Sequence, residues 1–177
     1  MNNKDIIEKI KKLLREIPDF PRKGILFKDI TPVLAEPGAL AWICDELIRP
    51  YKEKKITKIL AIESRGFFFG TGMADRLGVG LVPVRKSGKL PYETLRESYS
   101  LEYGEASLEI HKDAVNPNDH VVIIDDVLAT GGTAKATSKL VERLGGKIVG
   151  FSCFLEIAFL NGRSALNPTH VHSMIRE

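Results

Sequence analysis

Val121-Val122-Ile123-Ile124-Asp125-Asp126-Val127-Leu128-Ala129-Thr130-Gly131-Gly132-Thr133-Ala134 brings three kinds of chemistry into one short stretch. Val121 to Ile124 is an unbroken β-branched run entered from the turn residues Pro117-Asn118-Asp119, which predicts a strand buried on both faces of a parallel sheet. The run stops at two carboxylates. Asp125 and Asp126 project to opposite sides of an extended backbone, so at least one of them reaches the crevice at the strand's carboxyl end. Ala129 to Thr133 then supplies small residues that let backbone amides approach an anion, together with two hydroxyls. Thr137, Leu140, Val141 and Leu144 recur at helical spacing and end at Gly145-Gly146, so a helix starts in this loop and directs its free N–H groups into it. The stretch is a phosphate cup preceded by carboxylates, suited to a ligand with a phosphate at one end and a diol beside it, such as a phosphorylated ribose.

Other phosphate loops are excluded by inspection. The only Gly-Lys pairs, Gly88-Lys89 and Gly146-Lys147, are followed by Leu90 and Ile148, so no nucleoside-triphosphate loop is present, and no dinucleotide fingerprint follows a strand. At 177 residues, with 44% hydrophobic and 28% charged composition, the chain reads as one globular domain over 1–177. A net charge of +3 without a long basic run gives nucleic-acid binding little support and is met equally well by an anionic small molecule. The four His lack zinc spacing, and His170-x-His172 reads as one face of a short strand. Cys44 and Cys153 sit in apolar patterns, as reduced core thiols do. The amino terminus is polar, and Ile148 to Leu160 contains Glu156 and is too short to span a bilayer. A soluble, cytoplasmic protein without membrane or nucleic-acid partners is expected.

Moving outward, Ile6, Ile10, Leu13, Leu14 and Ile17 predict one face of a first helix ended by Pro18. Phe20 to Pro32 carries more large apolar groups than an ordinary loop; it is either a tucked-in loop or a hood over a flat ligand, with Phe27 as the stacking ring. Leu40, Ile43, Cys44, Leu47, Ile48 and Tyr51 predict a core helix. Lys58 to Ile62 predicts a strand that ends in Glu63-Ser64-Arg65-Gly66, with a helix through Phe67 to Leu77. Leu81 to Arg85 is a short strand whose Pro83 argues for an edge or an irregularity. Lys86 to Glu97 is aperiodic and carries Lys86, Lys89 and Arg96; with a hairpin built from Tyr99 to Tyr103 and Ala106 to His111, it predicts a mobile lid over about 86–105. Lys147 to Leu155 is a further strand. Strand and helix alternate, which predicts an α/β fold: a mostly parallel twisted sheet with helices on both faces.

Four segments resemble the type I phosphoribosyltransferase family. They are Phe20-Pro21 with Gly24 to Asp29, Glu63 to Phe67, Val84 to Pro91 with Tyr99 to Gly104, and Asp125 to Thr133, which matches the family's signature for phosphoribosyl pyrophosphate (PRPP). The third segment resembles the branch that acts on adenine. The resemblance implies transfer of phosphoribose from PRPP to adenine, giving AMP and pyrophosphate, with Mg²⁺ required and held through PRPP, pyrophosphate and water rather than by the protein. It implies a base-binding hood within about 1–35, with Leu26, Phe27 and Lys28 on adenine. PRPP falls to Arg65, Lys86, Lys89, Asp125, Asp126, Ala129, Thr130, Gly131, Gly132 and Thr133. Arg65, Glu102 and Tyr103 are the catalytic candidates, Glu102 managing the adenine proton. Homodimers are usual in the family. Lys28 stands where Arg is usual and Val127 where Leu is usual. The alternatives are a transferase for hypoxanthine, guanine or xanthine, and a PRPP-sensing regulator without catalysis.

Overall fold

The structure, a computed structural model, describes residues 3–100 and 105–177. It divides into two compact units, 1–43 and 44–177.

The amino-terminal unit opens with α1 (Asn3–Leu13). The expected helix does not continue to Pro18: Arg15–Pro18 is a strand, β1, paired antiparallel with β2 (Leu26–Asp29). Cross-strand pairing overrides the helical spacing of Ile17, because the register sets Arg15 opposite Asp29 and Glu16 opposite Lys28. Both pairs are ionic, at 3.5 Å and 2.5 Å. The segment expected to be either loop or hood is therefore half ribbon, with Phe20 meeting the Phe27 ring edge-on at 5.1 Å. A short helix α2 (Thr31–Ala35) follows, its first turn held by Asp29, whose carboxylate accepts from the Thr31 N–H at 2.9 Å. α3 (Ala39–Ile48) leads from this unit into the next.

In the second unit, Cys44, Leu47, Ile48 and Tyr51 are buried as the helical spacing predicts. The strands are β3 (Lys58–Ile62), β4 (Gly80–Lys86), β5 (Thr94–Ser100), β6 (Glu105–His111), β7 (His120–Leu128), β8 (Lys147–Glu156) and β9 (Val171–Arg176). They form one sheet in the order β5-β6-β4-β3-β7-β8-β9, parallel from β4 through β9 and antiparallel where β6 joins β4 and β5. α4 (Gly66–Leu77) links β3 to β4, and α5 (Gly132–Arg143) links β7 to β8. The chain leaves β3 toward one edge and later returns to β7 on its other side. The carboxyl ends of β3 and β7 are thus the switch point where open α/β sheets bind ligands. On one face Leu60, Ile62, Val121 and Ile123 pack with Leu140 and Val141 of α5 in the core.

Three expectations change in detail. The strand after Pro117 does not stop at Ile124 but carries Asp125 and Asp126 within it, since β7 stays paired with β8 as far as Leu128. Pro83 lies inside the sheet, yet β4 meets β6 only at Arg85 and Lys86, so the flank of β4 beside Pro83 is locally an edge and needs no amide donor. The stretch 86–97 is not aperiodic throughout: from Thr94 it is β5, paired with β6 over seven positions. Glu97 obscures the alternation by turning inward, where Lys139 and Arg143 of α5 bind it at 2.8 Å and 3.1 Å.

Candidate active site

The loops after β3 and β7 meet because their strands are neighbours, with Ala61 in register with Ile124. Gly66 permits the close approach: a Cβ there would lie 2.9 Å from the Ile124 carbonyl oxygen and 3.3 Å from Asp125 Oδ1. Across this junction Arg65 Nε donates to Asp126 Oδ2. The residue expected to clamp pyrophosphate and one of the carboxylates expected on the diol are therefore joined.

The two carboxylates differ. Asp126 is buried, while Asp125 is half-buried with its carboxyl packed beside Gly66, and it accepts from the Asp126 N–H at 2.9 Å. Burial first, and the charge of Asp126 next, push Asp125 well above the usual carboxylate range; the Asp126 N–H and the Arg65 charge act against them. The ionised form of Asp125 is disfavoured on balance.

Gly131 begins α5 with φ of +84°, a conformation glycine adopts without strain, and no side chain caps the helix. The first-turn N–H groups, including those of Gly132 and Thr133, stay available to an anion. Thr130 is exposed and Thr133 partly so, as a cup's hydroxyls need to be. The reading from sequence missed what supports this loop. The turn Gly162–Leu166 lies directly behind it: a Cβ on Gly131 would come within 2.4 Å of the Gly162 carbonyl oxygen, and one on Gly162 within 2.1 Å of the Ala129 oxygen. Next to Gly162, Arg163 is locked by the buried Glu156, at 2.5 Å and 3.0 Å, and by the Val171 carbonyl. Nothing local in the sequence marks Gly162, because its partner lies more than thirty residues earlier.

Glu63 was placed in the matching loop by sequence, but its role was not read. Its side chain, 6% exposed, accepts from Arg85 Nε at 3.1 Å, the Lys86 N–H at 3.0 Å and Lys89 Nζ at 2.6 Å. Burial works to raise this carboxyl, but the bonds from Lys89, Lys86 and Arg85 outweigh it and hold it below the usual range. Lys89 thus joins the end of β3, whereas the Lys86 side chain is exposed and only its backbone is engaged there. Leu26, Phe27 and Lys28 lie together on β2, with Leu26 exposed and Lys28 bonded to Glu16. Glu102 and Tyr103 lie outside the described residues.

The comparisons define a class. A family model for the phosphoribosyl transferase domain matches residues 28–171, and the chain belongs to that family. Within it, the chain is 54% identical over 170 residues to the adenine phosphoribosyltransferase of a Thermoanaerobacter species, covering 96% of this chain and 98% of the relative. The crystal structure of adenine phosphoribosyltransferase from Rhodothermus marinus, 50% identical, superposes with a TM-score of 0.94 over 99% of this chain and 100% of that one. The Trypanosoma brucei enzyme, 27% identical, was solved with AMP, pyrophosphate and ribose-5-phosphate and superposes at 0.91 over 100% of this chain and 82% of that one. The particular likeness is to adenine phosphoribosyltransferases, over nearly the whole chain.

Proposed function

We propose that this protein transfers the 5-phosphoribosyl group from PRPP to adenine, releasing AMP and pyrophosphate in purine salvage. The observation that carries this is the junction at the switch point, where Arg65 meets Asp126 beside the uncapped start of α5. One crevice thereby offers carboxylates for a sugar diol, amides for its phosphate and cations for a pyrophosphate.

The chemistry breaks the bond from ribose C1 to pyrophosphate oxygen and forms one from C1 to an adenine nitrogen, which loses a proton. Positive charge develops on the ribose and negative charge on the leaving group, and preorganised groups of opposite sign stabilise both. Ala129 to Thr133 receives the 5-phosphate. Asp125 and Asp126 take the ribose hydroxyls and face the developing cation. Arg65, Lys86 and Lys89 receive the pyrophosphate, and the β5–β6 hairpin serves to keep water from the cation. By the family resemblance Glu102, with Tyr103 beside it, handles the adenine proton.

Mg²⁺, when bound, neutralises part of the pyrophosphate charge. Asp126 Oδ2 is taken by Arg65, and among the described residues no group of three or more His, Cys, Asp or Glu is arranged around a metal. This donor set suits an ion that would be carried by the oxygens of PRPP and by water.

Adenine is assigned to Leu26, Phe27 and Lys28. Phe27 stacks on any purine, so the choice among purines falls to backbone groups that accept from the adenine amine and repel the carbonyl of hypoxanthine or guanine. A homodimer is proposed from the family resemblance. A cytoplasmic location accords with the two free, buried cysteines; among the described residues no helix is long and apolar enough to cross a membrane. The test is product formation from PRPP and Mg²⁺ with adenine, hypoxanthine and guanine side by side. AMP from adenine at far higher efficiency is expected. Comparable use of hypoxanthine would move the assignment to another purine, and no product from any base would end the catalytic reading.

A further inference from the structure

The turn that carries Lys86 and Lys89 is held from two sides by buried carboxylates. On one side Glu63 accepts from the Lys86 N–H. On the other Glu109, in the middle of β6 and 2% exposed, accepts from Ser87 Oγ at 2.8 Å and from the Gly88 N–H at 3.1 Å. Its remaining partner is Arg96 on β5, at 2.8 Å. Glu109 stands opposite both Arg85 and Arg96 in the sheet, so its position is set by strand register and does not depend on the turn. The Ser87 N–H also bonds to the Ser107 carbonyl at 3.1 Å, and Gly88 takes a φ of +82°. Three successive residues, Lys86, Ser87 and Gly88, therefore have their backbone or hydroxyl donors consumed by acceptors at the end of β3 and along β6.

We infer that Glu109 is a positioning residue for the transfer reaction: it fixes the turn 86–89 so that the Lys86 and Lys89 ammonium groups meet the pyrophosphate end of PRPP in one arrangement. The inference rests on the proposed function and adds a residue to it that no resemblance supplied. A carboxylate serving only to fill space would be replaced by an apolar group at little cost, since burying a charge is expensive. Here two of its acceptor contacts go to turn donors that would otherwise lack a fixed partner. Long lysine side chains gain little from a charge alone when their base can wander, and fixing the base removes part of the ordering cost of binding.

The test uses the full chain with Glu109→Gln and, separately, Ser87→Ala. The amide introduced by E109Q would turn an N–H₂ toward either the Gly88 N–H or the Ser87 hydroxyl and Arg96, so one contact becomes donor against donor. For E109Q a rise in KM for PRPP of roughly tenfold is expected, with KM for adenine within about twofold, because a misplaced charged group weakens only what it binds. S87A, which removes a single donor to Glu109, should shift KM for PRPP in the same direction by less. Titration of inorganic pyrophosphate with Mg²⁺ into the folded variants should show the same ranking without turnover. Unchanged KM for PRPP in both variants overturns the inference. So does an equal loss for PRPP and adenine, which would mark a merely structural role. If the unmutated protein forms no AMP, the functional reading fails instead, and the pyrophosphate titration alone then decides whether Glu109 positions an anion site.

Discussion

Gly162→Ala is the sharpest probe of how the phosphate cup is built. A Cβ at 162 would stand 2.1 Å from the Ala129 carbonyl oxygen, where real contacts essentially never fall below 3.0 Å, so the two backbones must part by about 0.9 Å. The obstacle is backbone on both sides, since the next nearest atoms are the Ala129 carbonyl carbon and the Gly131 nitrogen, each at 3.0 Å. No side chain can swing away. Gly162 is not among the glycines with positive φ, so alanine carries no conformational penalty there and the whole effect is this displacement. A shift of about 1 Å in positioning groups costs on the order of a hundredfold, or about 2.7 kcal/mol at the transition state. Steady-state kinetics with PRPP varied at saturating adenine should show kcat/KM lowered by roughly ten- to a hundredfold, while KM for adenine holds. Gly145→Ala is the control. Gly145 has a φ of +83° beside Pro117 and follows the end of α5, far along the helix from the cup. Alanine there should cost stability of roughly 1–2 kcal/mol through its left-handed conformation and leave KM for PRPP alone. If G162A binds PRPP like the unmutated protein, the turn behind the loop does not position it and the reasoning is wrong.

Three other substitutions address the rest of the site. Asp126→Asn removes the charge from the bond to Arg65 and is expected to lower kcat/KM for PRPP at least about tenfold, as charged hydrogen bonds contribute roughly 1.5–3 kcal/mol; unaltered kinetics would remove Asp126 from the ribose. Phe27→Ala should raise KM for adenine, since base stacking contributes roughly 1–3 kcal/mol, yet keep the preference over hypoxanthine; loss of that preference would show that the ring itself discriminates. Glu156 is held below the ordinary glutamate value of 4.5, by Arg163 first and by Ser173 further on, against burial. A depressed carboxylate contributes stability that is present above the unfolded value and lost as pH falls through the folded one. Thermal stability should therefore weaken below about pH 4.5, and Glu156→Gln should lower stability at neutral pH while flattening that acid slope. An acid slope equal to that of the unmutated chain would exclude this pairing as its source.

What could be read from sequence was what the chain keeps local. Asp125 to Thr133 is continuous, so strand, carboxylates, glycines and helix start all announce themselves within one stretch. Arg65 is picked out only by the family resemblance, since an arginine at a strand end followed by glycine reads by itself as a surface charge. The roles of Glu63, Glu109 and Gly162 were not legible, because each acts on something distant in sequence: Glu63 on Arg85 and Lys89, Glu109 on Ser87 and Gly88, Gly162 on Ala129 and Gly131. Their meaning depends on sheet order and register, which composition and periodicity do not encode. The misread elements follow the same logic. Ile17 fits a helix until β2 arrives to pair with it, and Glu97 looks like a loop charge until Lys139 and Arg143 of α5 stand over it.

The uneven treatment of the two carboxylates has a chemical use. Asp126 is paired with Arg65, which compensates its charge. Asp125 is less so: it accepts the Asp126 N–H, yet burial and the neighbouring charge outweigh that bond and the Arg65 charge. A group in that condition gains little from a neutral sugar beyond hydrogen bonds, but it gains strongly from positive charge developing on the ribose as pyrophosphate departs. Interactions that strengthen between ground state and transition state are those that raise turnover rather than merely tighten binding. Asp125 is therefore the carboxylate placed to contribute to kcat in the proposed reaction, and Asp126 the one placed to contribute to KM for PRPP through the arrangement of Arg65. The distinction follows from the contacts, since Asp126 takes the Arg65 guanidinium while Asp125 Oδ1 lies beside Gly66 and accepts from the Asp126 N–H.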